Sequence, residues 1–348
     1  MKKILFVDNI QFGYLTDTYK YCQYLCNDYS ITYVSFDRGG KKYEIPNGKT
    51  VYVPHTKIKV FNGVRFLIRA IMQAVFFNGS IFVVYFPYCS IIRKILFWKR
   101  IHVDVRTLSV STDAAIREKA DRQLAKEVVV FDTCSFISEG ILRKLKLPTK
   151  TRSFILPLGA DVISYSNKDF NSLRLLYIGA LYHRNILDTV KGVHLYKQRH
   201  PGSNIHYDIV GYGEEIEIIN DFVKSNGLAD VVVLHGRKPY EELKPFLDEC
   251  NIGVSYIPIE DCFQYQPPTK TFEYAFSGLA VLATATEANK EIINEVNGVL
   301  IKDNPESFAD SLDKLMNMQF DSEKIRESVK DYSWENIISY CLKPIIDN

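Results

Sequence analysis

The chain has 348 residues, 47% of them hydrophobic, and 43 basic against 41 acidic side chains give it a formal charge of +2. This length accommodates two α/β domains with cores of their own, and the balanced charge excludes a polycationic nucleic-acid binder held by counterion release. With only 18 Gly and 13 Pro, a collagen-like or disordered chain is excluded as well. Seven cysteines, at 22, 26, 89, 134, 250, 262 and 341, are too few and too irregular for a disulfide framework and read as reduced. Met1-Lys2-Lys3 leads straight into ILFVDN without a small-residue cleavage site, and the most apolar stretch, 71–87, is broken by Asn78-Gly79-Ser80. A cytoplasmic protein is expected.

In chain order, runs rich in β-branched and aromatic residues recur at ILFVD (4–8), SITYVSF (30–36), IFVVYF (81–86), IHVDVR (101–106) and VVVF (128–131). A second set follows at LRLLYIG (173–179), IHYDIVG (205–211), VVVLHG (231–236), IGVSYI (252–257) and AVLATA (280–285). Strands without in/out alternation are buried on both faces, the mark of parallel sheets covered by helices. The alternation with helix-period segments predicts α/β architecture: two Rossmann-like, doubly wound domains. The polar stretch 164–172 between the two sets reads as the linker. The expected domains are 1–165, 166–332 and a terminal helix, 333–348, crossing back to the first. Its apolar face is Trp334, Ile337, Ile338 and Cys341. Ligands of such folds bind outside the carboxyl ends of the strands, so a cleft between two sheets is expected.

The chemistry concentrates in 256–278. After a strand ending near Tyr256 comes a loop as far as Pro268, then a helix expected to start around Thr269 and stop at Gly278. The helix start offers unpaired N–H groups and a partial positive charge, and Lys270 in its first turn opposes that dipole unless an anion binds there. Glu273, one turn on, is placed to accept the vicinal hydroxyls of a ribose. A pair of merely solvated helix residues is the alternative.

The string Pro268-Thr269-Lys270-Thr271-Phe272-Glu273-Tyr274, continuing to Gly278 and Val281, resembles the Pro-x-Lys-x-x-Glu-Tyr…Gly-x-x-Val signature of family 4 glycosyltransferases. Further similar stretches follow in family order: Leu156–Asp161, Tyr177–Asn185, Gly211-Tyr212-Gly213, His235-Gly236, Pro239–Leu243, Glu291-Ile292-Ile293 and Ser333-Trp334-Glu335. The resemblance covers most of the chain and implies the GT-B fold. It assigns Gly179, Gly211, Pro268, Thr269, Lys270 and Glu273 to the nucleotide-sugar donor, with Glu273 on the ribose. Arg184 stands near the basic position that holds the diphosphate, where it would stabilise charge on the departing nucleotide. Its alternative is a surface arginine capping a turn. The first Glu of the family's paired motif, which contacts the donor sugar, falls at Tyr265, a departure from the pattern. Gly13, after the first strand, stands where the family has a Gly-rich loop near donor phosphates and acceptor. Asp104 and Arg106, on the turn after IHVDV, are candidates to orient the acceptor hydroxyl, or alternatively a plain ion pair.

The family retains anomeric configuration, with the leaving phosphate taking the acceptor's proton, so no carboxylate pair at glycosidase spacing is expected. No Asp-x-Asp occurs, and the diphosphate charge is expected to be met by Arg184, Lys270 and helix N-termini without a metal. No cofactor beyond the nucleotide-sugar co-substrate is implied. Other signals fall away. Gly48-Lys49-Thr50 lacks the earlier glycine of a P-loop, no Gly-x-Gly-x-x-Gly follows the first strand, and Cys22 and Cys26 have no histidine nearby.

Arg65, Arg69, Arg93, Lys94, Lys99 and Arg100 interleave with apolar side chains such as Phe61, Phe66, Phe97 and Trp98. That pattern suits either core-facing helices with basic edges or peripheral contact with the inner face of the cytoplasmic membrane. The expected activity is thus a retaining, metal-independent glycosyltransferase that moves a sugar from a UDP- or GDP-sugar to a glycan or lipid-linked saccharide in cell-surface polysaccharide synthesis. The rivals are a silent GT-B subunit that binds a partner transferase and a nucleotide-sugar epimerase.

Overall fold

In the computed structural model, which describes residues 1–56 and 59–347, the apolar runs become two wholly parallel sheets, one in each of two units. The first unit is Met1–Gly159 with Trp334–Asn348, the second Ala160–Ser333. The first sheet holds β1 (Lys2–Val7), β2 (Tyr29–Asp37), β3 (Gly48–Pro54), β4 (Ser80–Val84), β5 (Ile101–Val105), β6 (Thr133–Phe136) and β7 (Ser153–Ile155). Their spatial order is β3-β2-β1-β4-β5-β6-β7. The second sheet holds β8 (Leu173–Ala180), β9 (Ile205–Tyr212), β10 (Val232–Gly236), β11 (Ile252–Ser255), β12 (Ala280–Thr284) and β13 (Gly298–Ile301), in the order β10-β9-β8-β11-β12-β13. Each order reverses direction once, beside β1 and beside β8, which is the doubly wound topology with its ligand-binding switch point.

The runs IFVVYF and AVLATA are buried along their strands, as continuous hydrophobicity predicts for central parallel strands. The strands that the pattern did not announce, β3, β7 and β13, all lie at sheet edges; β3 and β7 are only partly covered, and β13 is a mostly buried run of four residues. VVVF is displaced from its expected role. The helix Ala114–Val128 runs through its first valine, because Leu124 and Val128, four apart, are both buried on the helix's inner face. The strand comes after it, at Thr133. Tertiary burial overrides β propensity there.

The stretch expected as a linker is instead knitted into the second unit. Ala160 N–H donates to the Tyr332 carbonyl (3.0 Å), and the fully buried Ser164 donates to Asp248 Oδ1 (2.6 Å). Lys168 donates to Ser166 Oγ and the Leu247 carbonyl. The boundary therefore falls between Gly159 and Ala160, six residues before the one expected, because polar residues here find polar partners rather than solvent.

The terminal segment packs on the first unit. Trp334 is buried with its ring edge-on to Tyr21 at 6.0 Å. Ser80 Oγ donates to the Ile346 carbonyl (2.7 Å), and the Asp347 carboxylate takes Tyr29 OH and Lys2. Residues 337–342 form a π-turn inside this helical run. The wider turn carries Leu342 to the inner face and leaves Cys341 half-buried, where straight α-periodicity places Cys341 inside. Trp334→Ala is expected to lower stability by about 3–5 kcal/mol, measured as a reduced urea midpoint at unchanged slope.

Candidate functional site

The carboxyl end of β8 is where the second sheet opens. Ile178, Gly179 and Ala180 remain paired with Val210, Gly211 and Tyr212 of β9. Toward β11, however, β8 pairs only at Leu175 and Leu176. The Ile178 N–H donates instead to the Tyr274 hydroxyl (2.7 Å). Tyr274 reaches this position by lying over Gly253, where any Cβ would meet its ring at 2.2 Å. A side chain thus wedges the switch point apart while keeping the strand's N–H satisfied.

The helix Thr269–Phe276 begins beside that opening, as expected, and its end is marked by Gly278 at φ +77°. Pro268 supplies the extended entry, and its carbonyl accepts from Thr271 N–H (3.1 Å). Thr271 Oγ1 joins Ser255 Oγ (2.7 Å) and Asn289 Oδ1 (3.2 Å) in a fully buried network that fixes the first turn. Lys270 therefore has a set direction. Its ammonium lies 3.8 Å from the centroid of the buried Tyr177 ring, against Gly179, where a Cβ would stand 2.8 Å from Nζ. This is a cation–π contact built around a glycine.

Protein atoms crowd the Lys270 ammonium although part of the residue remains accessible. Burial first, and the Arg184 charge second, bring its pKa down to about 7, with Glu273 pulling the other way. Arg184 stacks its guanidinium over Phe263 at 4.6 Å. Among the described residues, no carboxylate forms an ion pair with Lys270 or Arg184. Two cations held close enough to repel each other make a site for a multiply charged anion.

Glu215 is a residue that sequence reasoning missed. Its two carboxylate oxygens accept the N–H groups of Arg184 (3.1 Å), Asn185 (3.0 Å), Ile186 (2.6 Å) and Leu187 (3.3 Å). The start of the helix Ile186–Arg199 is thereby closed by an internal anion. Of the helix N-termini expected to meet a diphosphate, this one is already occupied. The turn before it holds His183 and Asn185 at positive φ, so the carboxylate fixes a strained turn and with it Arg184. Only the place of Glu215, after Gly211-Tyr212-Gly213, could have signalled this role. Tyr177 likewise read as one more apolar strand residue.

The remaining expected residues divide. Pro268, Thr269, Tyr265 and Glu273 are all partly exposed on the same loop and helix. Gly211 serves the backbone: a Cβ there would meet the Gly179 carbonyl at 2.0 Å. Gly13 in the first unit has φ +89°, but the space in front of its Cα is filled by the Tyr43 ring, 2.2 Å from a Cβ position. Asp104 is fully buried, so the expectation that it touches an acceptor hydroxyl is corrected. Its Oδ1 accepts from Ser135 Oγ (2.5 Å), and burial raises its pKa to about 6 against the pull of Arg106. Arg106 donates to Asp17 (2.6 Å) and the Leu156 carbonyl (2.7 Å), while its Nη2 and Asp104 Oδ2 are buried without a hydrogen-bond partner. Arg106 and Asp104 stand 3.6 Å apart as a buried ion pair. His102 extends it through Ser135 (2.8 Å) and Thr133 (2.8 Å), and burial holds its imidazole neutral, with a pKa of about 3.

Residues 172–318 match the family model described as glycosyl transferases group 1. No curated protein matches the chain in sequence. Solved structures similar over nearly the whole chain include sucrose-phosphate synthase from Thermosynechococcus elongatus, at 14% identity, 99% of this chain, 98% of that chain and TM-score 0.74. Another is Anabaena HepE in complex with UDP and glucose, at 10% identity, full coverage of both chains and TM-score 0.74. The apo form of the lipopolysaccharide outer core galactosyltransferase WaaB matches at 12% identity, 99% of each chain and TM-score 0.72. The fold is GT-B, and residues 172–318 are similar to group 1 glycosyl transferases.

The Lys270 environment has a measurable cost to folding stability. An unfolded lysine titrates near 10.5 and the folded one near 7. The unfolded state therefore holds the extra proton between those values, and stability rises with pH across that window. Lys270→Met is expected to raise the melting temperature below pH 7, by the equivalent of about 1–2 kcal/mol after solvent screening. The gain should fade toward pH 10, as followed by calorimetry across pH.

Proposed function

We propose that the chain transfers a sugar from a UDP- or GDP-sugar to a glycan or lipid-linked saccharide, with retention of configuration and without a metal or other cofactor. The setting is the cytoplasmic stage of cell-surface polysaccharide synthesis. The observation that carries this reading is the pair Lys270 and Arg184, like charges gathered at the switch point of a parallel sheet, where the repulsion of Arg184 outweighs the pull of Glu273 on Lys270. A diphosphate bridging them relieves their repulsion and restores the Lys270 proton. Thr269 and Lys270, in the first turn after Pro268, add backbone N–H groups to the same anion. Glu273, one turn further on, takes the ribose hydroxyls.

In the transfer, the bond between the sugar's anomeric carbon and the phosphate oxygen breaks. The acceptor oxygen bonds to that carbon on the same face, and its proton passes to the departing phosphate. Lys270 and Arg184 then carry the catalytic load, since charge grows on the leaving diphosphate beside them. Asp104 and Arg106 act through the framework of the first unit, with no contact to the acceptor. A second reading rests on Tyr265, which stands where the family motif has its sugar-contacting Glu: a GT-B subunit that holds nucleotide without turning it over.

Calorimetric titration with UDP and GDP tests the donor site. One of the two is expected to bind, and Glu273→Ala and Lys270→Ala should each weaken that binding at least tenfold. Unchanged affinity in both variants removes the site. Affinity should also fall as pH rises above 7, as the free protein loses the Lys270 proton. Hydrolysis of the matching nucleotide-sugar should drop by about two to three powers of ten in Arg184→Ala and Lys270→Ala. Tight binding without turnover of any nucleotide-sugar moves the assignment to the silent subunit.

A further inference from the structure

From Ile45 to Val103 the sequence contains no acidic residue and nine basic ones, so a chain of net charge +2 gathers its positive charge in one part of the first unit. The helix Lys59–Val75 lies in this part. It buries Asn62, Phe66, Ala70 and Ala74 on its inner face, as an amphipathic helix should. Its outer face is not polar. Phe61, Val64, Ile68 and Met72, spaced three and four apart, are each more than half exposed, and Phe76 just beyond the helix is 90% exposed. Arg65 and Arg69 stand exposed among them. A second tip, after the helix Ser90–Ile95, exposes Phe97 and Trp98, their rings edge-on at 5.1 Å. Lys99 donates to the Phe77 carbonyl (2.7 Å) and so ties this tip to the residue after Phe76.

We propose that this face docks on an anionic lipid bilayer. The protruding Phe76, Phe97 and Trp98 suit the depth of the headgroups, where aromatic rings concentrate. Arg65, Arg69 and the exposed Lys94 lay their aliphatic stems on the apolar face and present charge to lipid phosphates. A bilayer is favoured by charge complementarity: nine basic side chains and a complete absence of carboxylates across fifty-nine residues match an anionic lipid surface. The inference is independent of the donor-site reading, and gives that reading a reason for the acceptor to be lipid-linked.

Flotation of the full chain with vesicles tests it. Binding is expected to mixed phosphatidylglycerol and phosphatidylcholine vesicles at low salt, to weaken as salt rises, and to be absent on phosphatidylcholine alone. The two tryptophans are Trp98, exposed, and Trp334, buried, so a blue shift of tryptophan emission on binding reports this face. Phe76→Asp with Phe97→Asp, and separately Arg65→Glu with Arg69→Glu, should each lower partitioning roughly tenfold or more at an unchanged melting temperature. Absence of flotation at low salt, or full binding by both variants, overturns the proposal. So does the finding by light scattering that the same substitutions convert an oligomer to a monomer without altering vesicle binding.

Discussion

A lysine ammonium resting 3.8 Å from the face of Tyr177 is the contact around which the second unit is arranged. Seating it there requires a glycine at 179, because any side chain would displace Nζ. It requires the strand end to part from β11, which Tyr274 achieves by taking the Ile178 N–H and lying in the notch left by Gly253. The buried Ser255–Thr271–Asn289 network then holds the helix whose first turn carries Lys270. Burial and the nearby Arg184 together leave the ammonium short of compensating charge. A buried cation kept in that state costs folding stability rather than adding to it.

The two units handle buried charge differently. In the first, Arg106, Asp17, Asp104, Ser135, His102 and Thr133 form a chain that links β5 and β6 to the helix Thr16–Leu25. The Ser135 hydroxyl donates to Asp104, so it must accept from His102 Nε2–H, which leaves Nδ1 to accept from Thr133. Most of its members are satisfied by protein partners, as expected for a brace. In the second unit Glu215 does the same for one turn, closing a helix start with four N–H groups. The contrast separates structural charge from charge left available to a ligand.

The helix at Thr269 and its terminating glycine were legible because Pro, Thr and Gly act locally: each biases its own backbone whatever surrounds it. The central strands were legible because burial on both faces leaves an unbroken apolar run. The edge strands β3 and β7 lack that run, β13 is only four residues long, and Val128 was claimed by a helix whose inner face needed it. Polar residues of the 164–172 stretch looked solvated because their partners, Asp248 and Leu247, lie far along the chain.

The sequence by itself determined the two parallel sheets, the position of Lys270 and Glu273 on one helix start, and the acid-free stretch of the first unit. These follow from composition, period and local backbone preference. Only the tertiary structure decided that Asp104 is sealed from solvent, that Gly13 is covered by Tyr43, and that Glu215 sets the Arg184 turn. It also decided that an apolar stripe of the helix Lys59–Val75 faces outward. Each of these depends on which distant residue arrives at a given side chain. Burial and pairing are properties of that arrival and are not encoded in any one segment.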